Sequence, residues 1–295
     1  MEIEGVFPPV TTPFADNGCI VHDHLAENIK RWNETDISGY LILGSNSEFI
    51  FLNEEEKLEI VKTARNSIPP SKKMLVGTGL ECTKGTKEFT RGVADCGADV
   101  AVVIAPHFFK SNMSHEAFMK HYLMVADSSP IPVLLYNVPS FTGLNLETGT
   151  ASALSSHENI IGIKDSSGNV EKLSEIISST GDNEFSVLTG SSIVLYPSMC
   201  VGAAGGIMAI ACVLPEKCSD IIRFYKDGNH AEAKELQMRL IEPTLAVTSR
   251  YGVPGLKAAM DLAGYYGGSS RLPLLPVTSA EIEDIKNIFT GADFI

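Results

Sequence analysis

The chain alternates short apolar, β-branched runs with longer stretches in which apolar residues recur every three or four positions. The apolar runs are Gly5–Val10, Gly39–Leu43, Met74–Val76, Val100–Ala105, Pro132–Tyr136, Ile160–Ile163, Phe185–Leu188 and Gly206–Ile210. Each is apolar throughout, as in parallel strands covered on both faces. The stretches between them carry helix signals. Asn53 precedes Glu54-Glu55-Glu56, an N-cap followed by acidic first-turn residues. Ser114 opens a stretch in which Phe118, Tyr122 and Val125 sit at helical spacing. Pro69-Pro70 and Pro130 stand where helices should stop before the next strand.

Strands that alternate with helices predict βαβ units and a parallel sheet. Eight such units predict an α/β fold of the closed (β/α)8, or TIM, barrel type. An open doubly wound sheet would want a GxGxxG phosphate loop after its first strand. That place reads Pro8-Pro9-Val10-Thr11-Thr12-Pro13 instead. Beyond Leu214 the strands stop and helical patterns continue over Cys218–Lys226, Ala231–Thr248, Gly255–Ala263 and Ala280–Phe289. The expected organisation is a barrel with the active site over residues 1–224 and a C-terminal helical appendage over residues 225–295.

Composition changes the picture in three ways. With 295 residues, 44% of them hydrophobic, the chain can bury a large core and is not a disordered one. Its net charge is 23 − 36 = −13, which argues against nucleic acid as a partner. A small anionic substrate stays compatible, because a pocket can be locally rich in N–H donors. The start, MEIEGVFPPV, lacks a basic segment followed by an apolar run, so no secretory signal is read. The longest apolar stretch, around Gly205–Leu214, is shorter than the roughly 20 residues a membrane span needs. Six scattered cysteines without a CxxC predict reduced thiols. The expectation is a cytoplasmic protein with neither a nucleic-acid nor a membrane partner.

In a barrel the active site lies at the C-terminal ends of the strands. Those ends read Thr11-Thr12, Gly44-Ser45-Asn46, Gly77-Thr78-Gly79, Pro106-His107, Tyr136-Asn137, Lys164-Asp165-Ser166, Thr189-Gly190-Ser191 and the residues around Ala209. They hold no carboxylate pair and no histidine cluster. Lys164 ends a strand that should be buried, and desolvation leaves a lysine more of its neutral amine. A neutral amine there can attack a ketone and form a Schiff base. The plainer alternative is a strand-end lysine paired with Asp165 or another carboxylate. Tyr136, one strand earlier, is either a phenol that moves protons during imine formation or a core tyrosine with its hydroxyl satisfied. Ser45 and Asn46 can turn a hydroxyl and backbone N–H groups toward a carboxylate, or form an ordinary loop.

Other constellations are weak. His22 and His24, around Asp23, read as a solvated helix face, and His115 and His121 lack both zinc spacing and a third ligand. No GxSxG elbow and no GxxxxGK[ST] loop is present. Gly202, Gly205 and Gly206 fit tight packing at the eighth strand.

Five segments together resemble the dihydrodipicolinate synthase / N-acetylneuraminate lyase family of class I pyruvate aldolases, over nearly the whole chain. They are Pro9-Val10-Thr11-Thr12-Pro13-Phe14, Gly44-Ser45-Asn46-Ser47-Glu48, Tyr136-Asn137-Val138-Pro139 with Thr142-Gly143, Gly162-Ile163-Lys164-Asp165-Ser166, and Arg271-Leu272-Pro273-Leu274. The resemblance implies a barrel with C-terminal helices, usually assembled as a homotetramer. It implies a Schiff base between Lys164 and pyruvate or a 2-oxo acid, with Tyr136 relaying protons. Ser45 matches the hydroxyl linked to that phenol, and the Ser45-Asn46 backbone matches the pyruvate carboxylate site. Ser166, Phe141, Gly190 and Met208 complete the expected substrate-binding set. No metal or organic cofactor is implied, because the iminium is itself the electron sink.

Three departures bear on the branch. Lysine-biosynthetic members usually carry an arginine where Phe141 stands, to hold the aldehyde's carboxylate. Phe108 replaces a tyrosine lent to a neighbouring subunit. Thr189-Gly190-Ser191-Ser192-Ile193 lacks the acidic residues of the sialic-acid branch. Gly44–Phe49, Arg239–Pro243, Gly252–Lys257 and Gly264–Gly268 look most like the 4-hydroxy-2-oxoglutarate aldolase branch. The resulting expectation is cleavage of 4-hydroxy-2-oxoglutarate to pyruvate and glyoxylate. The alternatives are dihydrodipicolinate synthase, an aldolase for 2-keto-3-deoxy sugar acids, and a non-catalytic 2-oxo acid binder.

Overall fold

The computed structural model describes residues 2–181 and 183–295. Eight parallel strands run as β1 (Gly5–Phe7), β2 (Gly39–Ile42), β3 (Lys73–Gly77), β4 (Val100–Ile104), β5 (Val133–Asn137), β6 (Ile160–Asp165), β7 (Ser186–Thr189) and β8 (Gly205–Ile207). Their order around the sheet is β1-β8-β7-β6-β5-β4-β3-β2. Between β1 and β2 the ladder is sparse, because Pro8 and Pro9 have no N–H to donate. A Pro9–Leu41 bridge, the Val10 N–H on the Leu41 carbonyl and the Leu41 N–H on the Pro8 carbonyl nevertheless close the cylinder. The eight expected runs are the eight strands, with ends shifted by one to three residues. The run Gly206–Ile210 stops early, because Ala209–Cys212 turns into a 3-10 segment.

Helices cover the outside of the barrel: α1 (His22–Asn33), α2 (Glu54–Ser67), α3 (Thr83–Asp95), α4 (His115–Ser128), the short α5 (Pro139–Thr142), α6 (Thr148–Leu154), α7 (Val170–Thr180) and α8 (Leu195–Cys200). The Asn53 signal is realised as a full capping box, with Asn53 accepting from the Glu56 N–H and Glu56 from the Asn53 N–H. Ser114 caps α4 by accepting from the Ala117 N–H. Alternation along the strands then separates two apolar layers. Val100, Val102, Ile104, Leu134, Tyr136 and Leu188 fill the barrel interior. Ala101, Val103, Leu135 and Ile163 face the helices.

The C-terminal helices are α9 (Pro215–Lys226), α10 (His230–Arg239), α11 (Ile241–Leu245), α12 (Gly252–Leu262) and α13 (Ser279–Gly291). The expected continuous helix over Ala231–Thr248 is broken at Leu240, and Ala246–Arg250 widens into a π turn. Pro243 lies at the break and cannot donate to a helical ladder. Position 224 falls inside α9, and one apolar cluster holds Val6, Trp32 and Leu43 together with Leu236, Leu256 and Phe289. The C-terminal helices therefore share one apolar cluster with the first strands and helices of the barrel. Among the described residues no helix is long and apolar enough to cross a membrane.

Candidate active site

Register places the two key side chains side by side. Tyr136 of β5 and Lys164 of β6 are direct partners in the ladder, and Lys164 is in turn the partner of Leu188 on β7. Partners across parallel strands point to the same face, so all three enter the barrel interior. Lys164 Nζ lies 4.2 Å from the centroid of the Tyr136 ring. Both residues are buried. Cys212, also buried, lies close enough to feel the Lys164 charge; burial pushes its thiol pKa well up and leaves it neutral.

The paired-lysine alternative is settled by the next residue. Asp165 points to the opposite face of the strand and takes the Lys172 ammonium of α7 at 2.8 Å. The same carboxylate accepts from Asn137 Nδ2 at 2.7 Å and from the Ser167 N–H at 2.9 Å. Its lone pairs are thus used outside the barrel. Among the described residues Lys164 has no carboxylate within ion-pair distance.

Ser45 begins the 3-10 turn Ser45–Ser47 that follows β2. Its Oγ lies 3.4 Å from the Tyr136 hydroxyl, a long hydrogen bond that joins the second strand end to the fifth. Asn46 is in the same turn, and among the described residues the Ser45 and Asn46 N–H groups donate to no protein acceptor. Thr12 anchors the turn by donating to the Ser47 carbonyl at 2.7 Å, and Ser47 donates to the Val10 carbonyl. A small cleft opens here, with Gly44, Ser45, Phe49, Gly77, Gly79 and Tyr136 among its walls.

The remaining expected residues divide. Ser166 and Gly190 meet: a Cβ at Gly190 would lie 1.8 Å from the Ser166 hydroxyl, so only glycine fits beside it. Phe141, on α5, is 63% exposed and is not part of the cleft wall. Met208 is fully buried in the core, its sulfur packed over Gly206. Tyr136 thus links Lys164 to Ser45; of the expected residues Ser45 and Tyr136 line the cleft, and Phe141 is exposed.

Several residues escaped the sequence reading. Glu48, directly after the Ser45–Ser47 turn, and Lys257 of α12 form an ion pair with N–O 2.6 Å, and both side chains are buried. Lys257 interrupts the apolar segment Leu256–Met260. That is the signal that singled out Lys164, and it was present for Lys257 as well. Leu43, which lines the cleft, takes a left-handed backbone at φ 56°, and no sequence signal announces it.

Comparison with known proteins fits this geometry. The sequence pattern of the Dihydrodipicolinate synthetase family matches residues 2–292. A 4-hydroxy-tetrahydrodipicolinate synthase of Methanothrix thermoacetophila is 34% identical over 97% of this chain and 96% of its own. One from Methanosphaerula palustris is 34% identical over 98% and 99%. Among solved structures, a prophage protein of the dihydrodipicolinic acid synthase family from E. coli K12, in complex with pyruvate, superposes with a TM-score of 0.94 at 28% identity, covering 99% of each chain. A buried lysine and a phenol at adjacent strand ends, a clamped serine turn and full-length similarity all agree: the chain belongs to the dihydrodipicolinate synthetase family and is a pyruvate-dependent, Schiff-base-forming lyase.

Proposed function

We propose that the chain joins pyruvate to aspartate semialdehyde, the reaction of a 4-hydroxy-tetrahydrodipicolinate synthase, through an iminium on Lys164. The observation that carries the mechanism is the Lys164 amine, buried beside Tyr136 while Asp165 is engaged by Lys172. The amine attacks C2 of pyruvate, and the carbinolamine loses water to give the iminium. Tyr136 moves the protons on and off that oxygen, with Ser45 as its hydroxyl neighbour. The Ser45 and Asn46 N–H groups receive the pyruvate carboxylate. Loss of a C3 proton gives the enamine, whose C3 attacks the aldehyde carbon. The semialdehyde's amino group then attacks the new iminium carbon, which closes the ring and expels the Lys164 amine. The iminium takes up the electron pair left by the C3 proton and forms again when the enamine attacks the aldehyde, so no metal or organic cofactor is assigned.

The names of the relatives favour this acceptor over the expected 4-hydroxy-2-oxoglutarate chemistry. Phe141 favours the second reading, because it removes the cation that would hold the semialdehyde's carboxylate. Borohydride trapping with pyruvate, followed by peptide mapping, should find the adduct on Lys164. Comparison of kcat/KM for aspartate semialdehyde and glyoxylate then chooses between the readings. A higher value with glyoxylate restores the 4-hydroxy-2-oxoglutarate assignment. No adduct in folded protein would leave a 2-oxo acid binder. The assembly expected is a homotetramer. It is supported by Phe108 and Phe109, 75% and 68% exposed, and is measured by sedimentation.

A further inference from the structure

We propose that Glu48 and Lys257 are positioning residues for the pyruvate site, through which the C-terminal helices hold the Ser45-Asn46 turn in its binding shape. The inference rests on the reading that this turn receives the pyruvate carboxylate. Glu48 is bound to the turn directly, its N–H donating to the Ser45 carbonyl at 3.1 Å. It closes the turn in a left-handed conformation, φ 55°. For a non-glycine residue that conformation is strained and persists only where surrounding contacts fix it.

Those contacts come from far along the chain. One carboxylate oxygen of Glu48 lies 2.6 Å from the Lys257 ammonium, close but not aligned as a hydrogen bond. The other accepts the Arg271 N–H at 2.8 Å. Lys257 donates to the Ser269 carbonyl at 2.7 Å, and both Lys257 and Arg271 lie over the Phe14 ring, at 4.7 and 4.4 Å from its centroid. The Arg271 guanidinium continues outward to both oxygens of Glu56, at 2.9 and 2.8 Å, and to the Phe51 carbonyl. The turn is therefore gripped on one side by the segment after β1, through Val10 and Thr12, and on the other by α12 and the segment after it.

A buried ion pair is a poor source of net stability, because desolvation of both charges offsets their attraction. What it supplies here is direction. It fixes the one residue whose backbone sets the pitch of the turn. A misplacement of about an ångström in a binding group can change rates by up to roughly 10²-fold.

The test uses two variants and the pyruvate concentration giving half-maximal borohydride trapping. Glu48→Gln keeps the volume, and Lys257 can release its proton, because burial already lowers its pKa. Glu48→Gln/Lys257→Met removes both charges and should recover thermal stability relative to the single variant. In both, the pyruvate requirement should rise about 10-fold or more, with the adduct at saturating pyruvate still on Lys164. The proposal is overturned if the requirement is unchanged in folded variants, if it recovers together with stability in the double variant, or if neither variant folds. Absence of trapping in the unaltered protein would instead sink the pyruvate reading itself.

Discussion

Asp165 gives its carboxylate to Lys172, 2.8 Å away on α7, and so leaves Lys164, its neighbour in the chain, without an acidic partner among the described residues. Alternation along β6 sends the two side chains to opposite faces, and the Lys172 ammonium also donates to Asn145 Oδ1 at 2.8 Å. Removing one partner of a buried pair strands the other. Lys172→Met should therefore cost about 3–5 kcal/mol of stability. Asp165→Asn/Lys172→Met should recover much of that loss. Thermal or urea unfolding of the unaltered protein, the two single variants and the double variant measures it, and an additive double variant would show that the pair is not coupled.

Tyr136 and Ser45 should separate in magnitude. Tyr136→Phe removes the proton relay and should lower kcat by about 10²- to 10⁴-fold, with the Lys164 adduct still formed slowly. Ser45→Ala removes only a 3.4 Å contact to that phenol, so its effect on kcat should be the smaller of the two. Lys164→Ala should abolish trapping altogether. Steady-state rates and intact mass check all three.

Gly190 and Ser166 form a steric pair that a double-variant cycle can read. Gly190→Ala places a methyl 1.8 Å from the Ser166 hydroxyl and should cost about 1–3 kcal/mol by overpacking, with loss of activity. Adding Ser166→Gly opens the space, so the stability defect should shrink. An equal defect in both variants would place the strain elsewhere.

His121 gives the protein an acid-sensitive point away from the site. It is buried on α4, with Nδ1 2.9 Å from Thr83 Oγ1, and burial lowers its pKa from 6.5 to about 4. The unfolded chain then binds a proton that the folded chain refuses. Stability is intact above pH 6.5 and falls as pH drops toward 4, by about 2 kcal/mol at pH 5. His121→Phe should flatten the stability profile between pH 7 and 5. An unchanged slope would show that the imidazole does not carry it.

The barrel was legible because its strands are apolar on both faces and its helices are capped by recognisable residues, Asn53 and Ser114. Lys164 was legible as a charge in a buried run. Its freedom from Asp165 was not, because that depends on Lys172 reaching back across the helix layer. The Glu48–Lys257 pair joins residues more than 200 positions apart, and nothing local in Glu48 marks it as buried. Phe141 is placed at the substrate by its motif position alone, and its ring is exposed on α5.

The seam between the first and last strands has a consequence for synthesis. β1 pairs with β8 across Gly5 and Gly205, where a Cβ on Gly205 would lie 2.1 Å from the Gly5 carbonyl oxygen. Toward β2 the prolines leave β1 little to bind. At about 5–20 residues per second, the ribosome takes tens of seconds to deliver Gly205 after Gly5. Until then β1 lacks the strand that completes the cylinder, although Lys164, which precedes Gly205 in the chain, has already been made.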